Sequence, residues 1–198
     1  SKDTEIFVEN CIVEDDIEKI SIVREPKYVL KVLTFGKDEL DQIDLNDVIQ
    51  ELAVTQSLSN DTKCQDSFVK LESSVVVHGP FPKLLANAWN KHDIIIGEKS
   101  INSRPTKFED DQLHLILRLN YEGENLEKFK INSWREAYDI FWNIVKTLVI
   151  SEENLEFEHR DLHWGNILLK RNNIKNNLNI SSNGKYKFEN SNFCLLYT

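Results

Sequence analysis

The sequence predicts an α+β fold, with an N-terminal antiparallel sheet lobe holding one main helix and, after it, the beginning of a helical C-terminal lobe. Three observations carry that prediction. Apolar and charged residues alternate along the first 35 positions without a single glycine, the period of half-buried strands. Residues 44–58 and 133–151 repeat apolar side chains at helical spacing. Short apolar runs bounded by turn residues return after the second of these helices.

Taken in order, Ile20-Ser21-Ile22-Val23 and Tyr28-Val29-Leu30-Lys31-Val32-Leu33 read as strands, with Glu25-Pro26-Lys27 turning between them and Gly36 closing the second. Behind an aspartate cap at Asp44, Leu45, Val48, Ile49, Leu52 and Ala53 mark the buried face of a helix over residues 44–58. Residues 74–78 form a strand stopped by Gly79-Pro80, and residues 83–91 a short helix carrying Leu84, Leu85, Ala88 and Trp89. Residues 97–111 are polar and loop-like. Residues 113–121 are a buried strand leading into a Glu122-Gly123 turn. In the helix at 133–151, Ser133 and Glu136 make a capping box. Its stripe of Trp134, Ala137, Tyr138, Phe141, Ile144, Val145 and Leu148 is expected in the core. Strands at 167–169, 186–188 and 193–197 follow, the first two separated by an Asn-rich tip at 172–183, expected to be a mobile hairpin end. No internal repeat is present.

A hydrophobic content of 40% in 198 residues is enough for one domain or for two small lobes. No apolar run is long enough to span a bilayer, since residues 144–150 are few and include Lys146. Lys2, Asp3, Glu5 and Glu9 interrupt any signal-peptide pattern at the start. Cys11, Cys64 and Cys194 are odd in number and widely spaced, which points to free thiols in a reducing compartment, cytosol or nucleus. A net charge of −9 argues against general nucleic-acid binding, which needs Lys and Arg on phosphates. It suits a basic peptide better, although the acidic clusters at 38–47, 109–111 and 152–158 each read first as solvated faces.

The chemistry is concentrated in one segment. His159-Arg160-Asp161-Leu162-His163-Trp164-Gly165-Asn166 fits the protein-kinase catalytic loop H-R-D-L-x-x-x-N at every fixed position. Phosphoryl transfer asks the protein for placement and charge compensation more than for covalent chemistry. Asp161 is therefore the candidate base for an acceptor hydroxyl, and Asn166 the candidate metal ligand. A kinase also needs a strand lysine paired to a helix glutamate. Tyr28-Val29-Leu30-Lys31 resembles the V-A-I-K strand, making Lys31 the candidate. Glu51 is its expected partner, at the edge of a packed face around Ile49, Leu52 and Ala53, and Glu39 is the weaker rival. The order of elements is the kinase order, with residues 1–122 as the N-lobe and hinge and 123–198 as a partial C-lobe.

From about residue 28 onward the chain resembles the haspin family, atypical serine/threonine kinases acting on a histone. The residues that carry the resemblance are 157–166, Asp110-Asp111-Gln112-Leu113, Gly79 to Leu85 with Ala88-Trp89, and Glu51-Leu52-Ala53-Val54. Trp164 and His163, where ordinary kinases carry lysine at the latter, make it specific. The resemblance implies ATP and Mg as cofactors and a Lys31–Glu51 pair orienting the phosphates. It implies Leu119 as gatekeeper and Asn120, Tyr121 and Glu122 as the hinge that meets adenine. Asp161 would be the base, Asn166 the metal ligand, and His163 a group beside the transferred phosphate or the substrate. Asn125 and Glu127 would meet a basic histone-tail peptide. It further implies a monomer acting in mitosis, in the nucleus and on chromosomes with a cytoplasmic pool, reaching chromatin through protein rather than DNA.

Two departures shape the expectation. No glycine-rich loop occurs before Gly36, and the final Leu195-Leu196-Tyr197-Thr198 resembles the family's Asp-Tyr-Thr without its aspartate. Losing one preorganised electrostatic group costs about 10²–10³ in rate, so these residues alone are expected to transfer phosphate poorly. A fragment of a working kinase and a degenerate one, binding nucleotide or a partner without turnover, are both open on this reading. A small-molecule phosphotransferase shares a related loop, but Arg160 and Trp164 favour the protein-kinase side.

Overall fold

In a computed structural model of the chain, residues 5–9, 27–36, 42–64, 66–96, 107–108, 110–171 and 191–195 are described. Contacts divide it into two units, Ser1–Val54 with Leu71–Tyr121, and Thr55–Lys70 with Glu122–Thr198. The expected strand at 20–23, most of its turn, the Asn-rich tip, the strand at 186–188, Glu39 and residues 196–198 lie outside the described residues, as does most of the 97–111 loop.

The first unit is built on an antiparallel sheet of β1 (Glu5–Glu9), β2 (Tyr28–Phe35), β3 (Leu71–His78) and β4 (Leu113–Asn120), in the order β1-β2-β4-β3. Register decides which side chains share a face. Val29, Lys31, Leu33 and Phe35 stand beside Leu119, Leu117, Leu115 and Leu113. Leu33, Leu115, Leu117 and Leu119 on this face are all buried. The other face carries Thr34 beside His114, joined at 3.0 Å between Oγ1 and Nδ1, with the Phe81 ring edge-on to His114 at 5.7 Å. Gly36 ends β2 at φ +102°, a conformation that a side chain at that position would strain.

Helix α1 (Leu45–Asn60) starts as expected behind Asp44, whose side chain accepts from Asn46 N–H and whose carbonyl accepts from Val48 N–H. Its buried face differs from the expected one. Val48, Thr55, Leu58 and Ser59 are buried, whereas Leu45, Ile49 and Ala53 are exposed. The helix has rotated its apolar residues by part of a turn, so that Thr and Ser take inward positions. Helix α2 (Lys83–Ile96) runs past the expected end at 91, and β3 begins at Leu71 rather than 74. As an outer strand of the sheet, β3 leaves Val75 and Val76 more than half exposed.

The second unit holds α3 (Trp134–Leu155) and a sheet of β5 (Glu124–Asn125), β6 (Ile167–Arg171) and β7 (Ser191–Leu195), ordered β5-β6-β7. β5 has no counterpart in the sequence reading. Ser133 caps α3, accepting from Glu136 N–H at 3.1 Å, while Glu136 Oε2 reaches back to Asn132 N–H. At the other end Glu156 takes a left-handed conformation, φ 50°, and its N–H returns to Glu152 O. The stripe turned inward is Ile140, Thr147 and Ser151, not the aromatic one. Trp134 is 92% exposed, and Tyr138, Phe141 and Trp142 are exposed with their rings edge-to-face. The expectation that these aromatics form core is corrected. The buried stripe holds one aliphatic residue beside Thr147 and Ser151, and apolar periodicity alone does not say which face of the helix finds a partner. Ser67, Phe68 and Val69 lie alongside Leu195, and Phe68 meets Phe157 edge-on at 5.4 Å. No helix among the described residues is long and apolar enough to cross a membrane.

Candidate active site

Two sets of candidate groups exist, one in each unit. In the first, Lys31 sits in the middle of β2 on the buried face of the sheet and is 1% exposed. A lone ammonium there would be costly. Glu51, two turns into α1, supplies the compensating charge and bonds directly to Lys31 Nζ. Burial pulls the Lys31 ammonium below the ordinary lysine value, and the Glu51 charge and hydrogen bond oppose that pull. An ammonium has three donors, and Glu51 takes one. The sequence-predicted pair is therefore brought together. Leu119 lies on the same face of the sheet and is buried. Asn120 ends β4 opposite Tyr28, and Tyr121 N–H is occupied by Lys27 O at 3.1 Å. The Tyr121 amide is thus used within the sheet and is not an open donor for a purine edge.

In the second unit, Gly123 follows Glu122 at φ +101°, and a Cβ placed on it would lie 2.2 Å from Leu169 O. Only glycine fits this turn. Burial raises the Glu122 carboxyl above its usual range, with Lys170 opposing. Asn125 closes a local turn, its Oδ1 and carbonyl both accepting from Lys128 N–H and the carbonyl also from Phe129 N–H; Glu127 is exposed. Leu126 N–H then divides between Trp164 O at 3.1 Å and Ile167 O at 2.8 Å. That shared bond fastens the segment after the glycine turn to the H-R-D-L loop.

The loop itself is tightly wound. Asp161 N–H returns to His159 O at 2.7 Å, which forces Arg160 between them to φ 57°. Such a left-handed non-glycine residue costs of order 1 kcal/mol, and residues so held cluster at functional sites. Asn166 is buried and donates from Nδ2 to Asp161 O at 3.0 Å. With Nδ2 as the donor in this bond, Oδ1 is the acceptor atom of the amide. His163 caps the single 3-10 turn of Trp164–Asn166, with Gly165 N–H donating to its Nδ1 at 3.1 Å. Its Nε2 stands 4.0 Å from Asp161 Oδ2. Asp161, His163 and Asn166 are thus gathered within one loop. Arg160 points outward, 80% exposed, and pairs with Glu158 at 3.1 Å.

Whether the residues fit a nucleotide and its metal can be judged from the donors. Buried Lys31 offers an ammonium with spare donors, which suits phosphate oxygens. Asn166 offers one hard oxygen, which suits Mg, an ion that takes one or two protein oxygens beside substrate phosphates and water. Among the described residues no cluster of three His, Cys, Asp or Glu would hold a metal on its own.

Sequence reasoning passed over three groups that shape these sites. Gly123 was read as a turn, without the backbone approach that demands glycine. Gly165 lies under the His163 ring, where a Cβ would come 2.6 Å from Cε1. Gln112 has no role in the sequence reading, yet it is 1% exposed and hydrogen-bonded through both amide atoms. A polar residue immediately before a leucine-rich strand is the signal available for it.

Residues 12–197 match the family described as Haspin like kinase domain. A serine/threonine-protein kinase haspin homolog of Schizosaccharomyces pombe is 38% identical over 143 residues, covering 72% of this chain and 28% of the relative. Serine/threonine-protein kinase haspin of Mus musculus is 37% identical over 153 residues, 73% of this chain and 20% of the relative. A haspin homolog of Drosophila melanogaster is 30% identical over 138 residues, 68% of this chain and 24% of the relative. The matches therefore span only 20% to 28% of the length of these curated relatives.

Proposed function

The chain belongs to the haspin-like kinase family, and on that premise we propose that it is the ATP-handling part of a serine/threonine protein kinase whose acceptor is a threonine in a basic histone tail. The observation that carries the reading is the Lys31–Glu51 pair, a charged lysine held in a buried sheet by one helix carboxylate. Structural economy does not explain it, since a well-packed apolar pair of similar volume would serve stability as well or better. Binding an anion does.

In this reading Lys31 and Glu51 orient the nucleotide's phosphates. The strand and turn at Leu119, Asn120, Tyr121 and Glu122 meet the adenine, with Tyr121 N–H already engaged. Asp161 orients the acceptor hydroxyl and takes its proton as the oxygen attacks the γ-phosphorus and the bond from that phosphorus to the departing ADP breaks. His163 Nε2, 4.0 Å from Asp161 Oδ2, is close enough for one hydroxyl to contact both groups. Asn166 would hold the metal, and when bound the cation would compensate charge on the phosphate oxygens. Glu127 is exposed and, with Asn125, faces a basic peptide. The net charge of −9 favours such a partner through long-range attraction. Attachment to chromatin then runs through protein contacts rather than DNA, and the place of action is the nucleus, on mitotic chromosomes, with a cytoplasmic pool.

Thermal shift and phosphate transfer test this together. ATP with Mg should raise the melting temperature of the native chain, and Lys31→Met should abolish the rise. In an intact parent protein carrying these residues, transfer from radiolabelled ATP to an Arg- and Lys-rich histone-tail peptide should fall about 10²–10⁴ in Asp161→Asn, the size expected for a general base. A thermal response with no effect of Asp161→Asn would make this a nucleotide-binding module without turnover. Transfer to an aminoalcohol in place of the peptide would make it a small-molecule phosphotransferase.

A further inference from the structure

Gln42 and Gln112 form a buried amide pair, 3% and 1% exposed. Gln42 Nε2 donates to Gln112 Oε1 at 2.9 Å, and Gln112 Nε2 donates back to Gln42 Oε1 at 3.1 Å. The other N–H of Gln112 goes to the Phe35 carbonyl at 2.6 Å, with Leu113 O a more distant acceptor at 3.3 Å. Apolar side chains could fill the same space without desolvating two amides. The amides therefore hold something that apolar packing would hold less specifically.

The two ends they join are informative. Phe35 is the last residue of β2, the strand that carries Lys31. Gln42 leads directly into Ile43, which bridges Phe35 and donates its N–H to Thr34 O at 3.1 Å, and then into Asp44, where α1 is capped. A helix is a stiff rod with a fixed rise per residue, so its point of entry sets where each later side chain falls. Glu51 lies two turns beyond that entry, and its bond to Lys31 closes a ring of contacts. The ring runs from Lys31 along β2 to Phe35, through the amide pair to α1, and back by Glu51 to Lys31. One link of the ring is a pair of flexible side chains; the other is this buried clamp.

We propose that Gln112 is a positioning residue for the Lys31–Glu51 pair: its amide, locked to Gln42 and to the Phe35 carbonyl, fixes the entry of α1 against the end of β2 and so the reach of Glu51 to Lys31. The proposal rests on the kinase reading of that pair for its importance, but its geometry stands apart from nucleotide binding. Releasing the clamp leaves the entry of the helix held through the Ile43 bridge to Phe35 and its N–H bond to Thr34 O, and loosens the position of Glu51 opposite the strand.

The test uses the 198-residue chain and measures acylation of Lys31 by an amine-reactive reagent, read by mass spectrometry. In the native chain Lys31 is buried and paired and should react slowly. Gln112→Met keeps the volume and removes the hydrogen bonds, and Gln42→Met removes one partner only; both should speed labelling of Lys31 about 10-fold, the scale of a lost buried hydrogen bond. Glu51→Gln sets the upper limit, and Gln112→Met added to it should increase labelling no further. Labelling of the buried Cys64 thiol, measured in the same samples, should stay slow and so exclude general unfolding. Unchanged Lys31 labelling in folded Gln112→Met overturns the proposal. So does a double variant whose rate is the product of the two single effects. Failure of ATP to bind the native chain would instead overturn the kinase reading and leave the labelling result to judge the clamp alone.

Discussion

Replacing Glu51 by Gln removes one charge from a pair whose other member, Lys31, is 1% exposed. Breaking a buried pair from one side costs about 3–5 kcal/mol, because the remaining charge is left in a low-dielectric site. Lys31 has a way to limit that cost, which is to lose its proton. At pH 7, deprotonating an amine that ordinarily titrates at 10.5 takes about 4.8 kcal/mol, and at pH 9 about 2 kcal/mol. The amide of the new Gln still accepts one hydrogen bond from Nζ, so the lower end of the range applies. The expected loss is about 3 kcal/mol at pH 7 and no more than about 2 kcal/mol at pH 9. The sign follows from linkage. Burial has lowered the folded-state value of Lys31, so between that value and 10.5 the unfolded chain binds the extra proton, and stability rises with pH across the window. Losing Glu51 lowers the folded value further and widens the window downward. Urea unfolding followed by tryptophan fluorescence, with native and variant chains at both pH values, measures the difference directly. An equal loss at both pH values, or a loss below about 1 kcal/mol at pH 7, would refute a buried charged pair.

Two further outcomes follow from single sites. Gly123→Ala forces a Cβ to 2.2 Å from Leu169 O at a backbone φ of +101°; urea unfolding should show a loss of about 2–4 kcal/mol, and a loss under about 0.5 kcal/mol would mean that the turn has room to relax. The Cys64 thiol is pushed up to about 11, first by burial and then by the Asp61 hydrogen bond and charge. Its labelling by iodoacetamide should therefore stay slow through pH 9, and Asp61→Asn should bring the midpoint down. Because the folded value lies above the ordinary 9.0, this thiol's contribution to stability is present below pH 9 and is lost as the pH rises toward 11. A midpoint near 9 in the native chain would contradict that environment.

Much of the candidate site is legible in the local sequence because its residues lie close together in the chain. Asp161, His163 and Asn166 lie in one loop, and the bonds that gather them span a few residues each. Their spacing in the chain is nearly their arrangement in space. The capping box at Ser133 and Glu136 and the left-handed Gly36 are of the same kind: each is set by a backbone requirement that only certain side chains satisfy. Lys31 and Glu51 were legible for another reason, since a strand lysine and a helix glutamate in that order imply a pair before any contact is known.

What the chain leaves undecided in one dimension is which surfaces meet. Both helical misreadings are of this type. Periodicity marked Leu45, Ile49 and Ala53 in α1, and Trp134, Tyr138 and Phe141 in α3, as apolar stripes, and the fold left them exposed. Thr55, Leu58 and Ser59 in α1, beside the expected Val48, and Ile140, Thr147 and Ser151 in α3 are buried. A helix can present more than one face for burial, and only the surface against which it is laid selects among them. The Gln42–Gln112 pair and the approach of Gly123 to Leu169 likewise join residues far apart in the chain. Side-chain type and spacing determined what each segment is able to do. Burial and long-range pairing, which depend on distant residues arriving at the same place, decided which of those abilities are used.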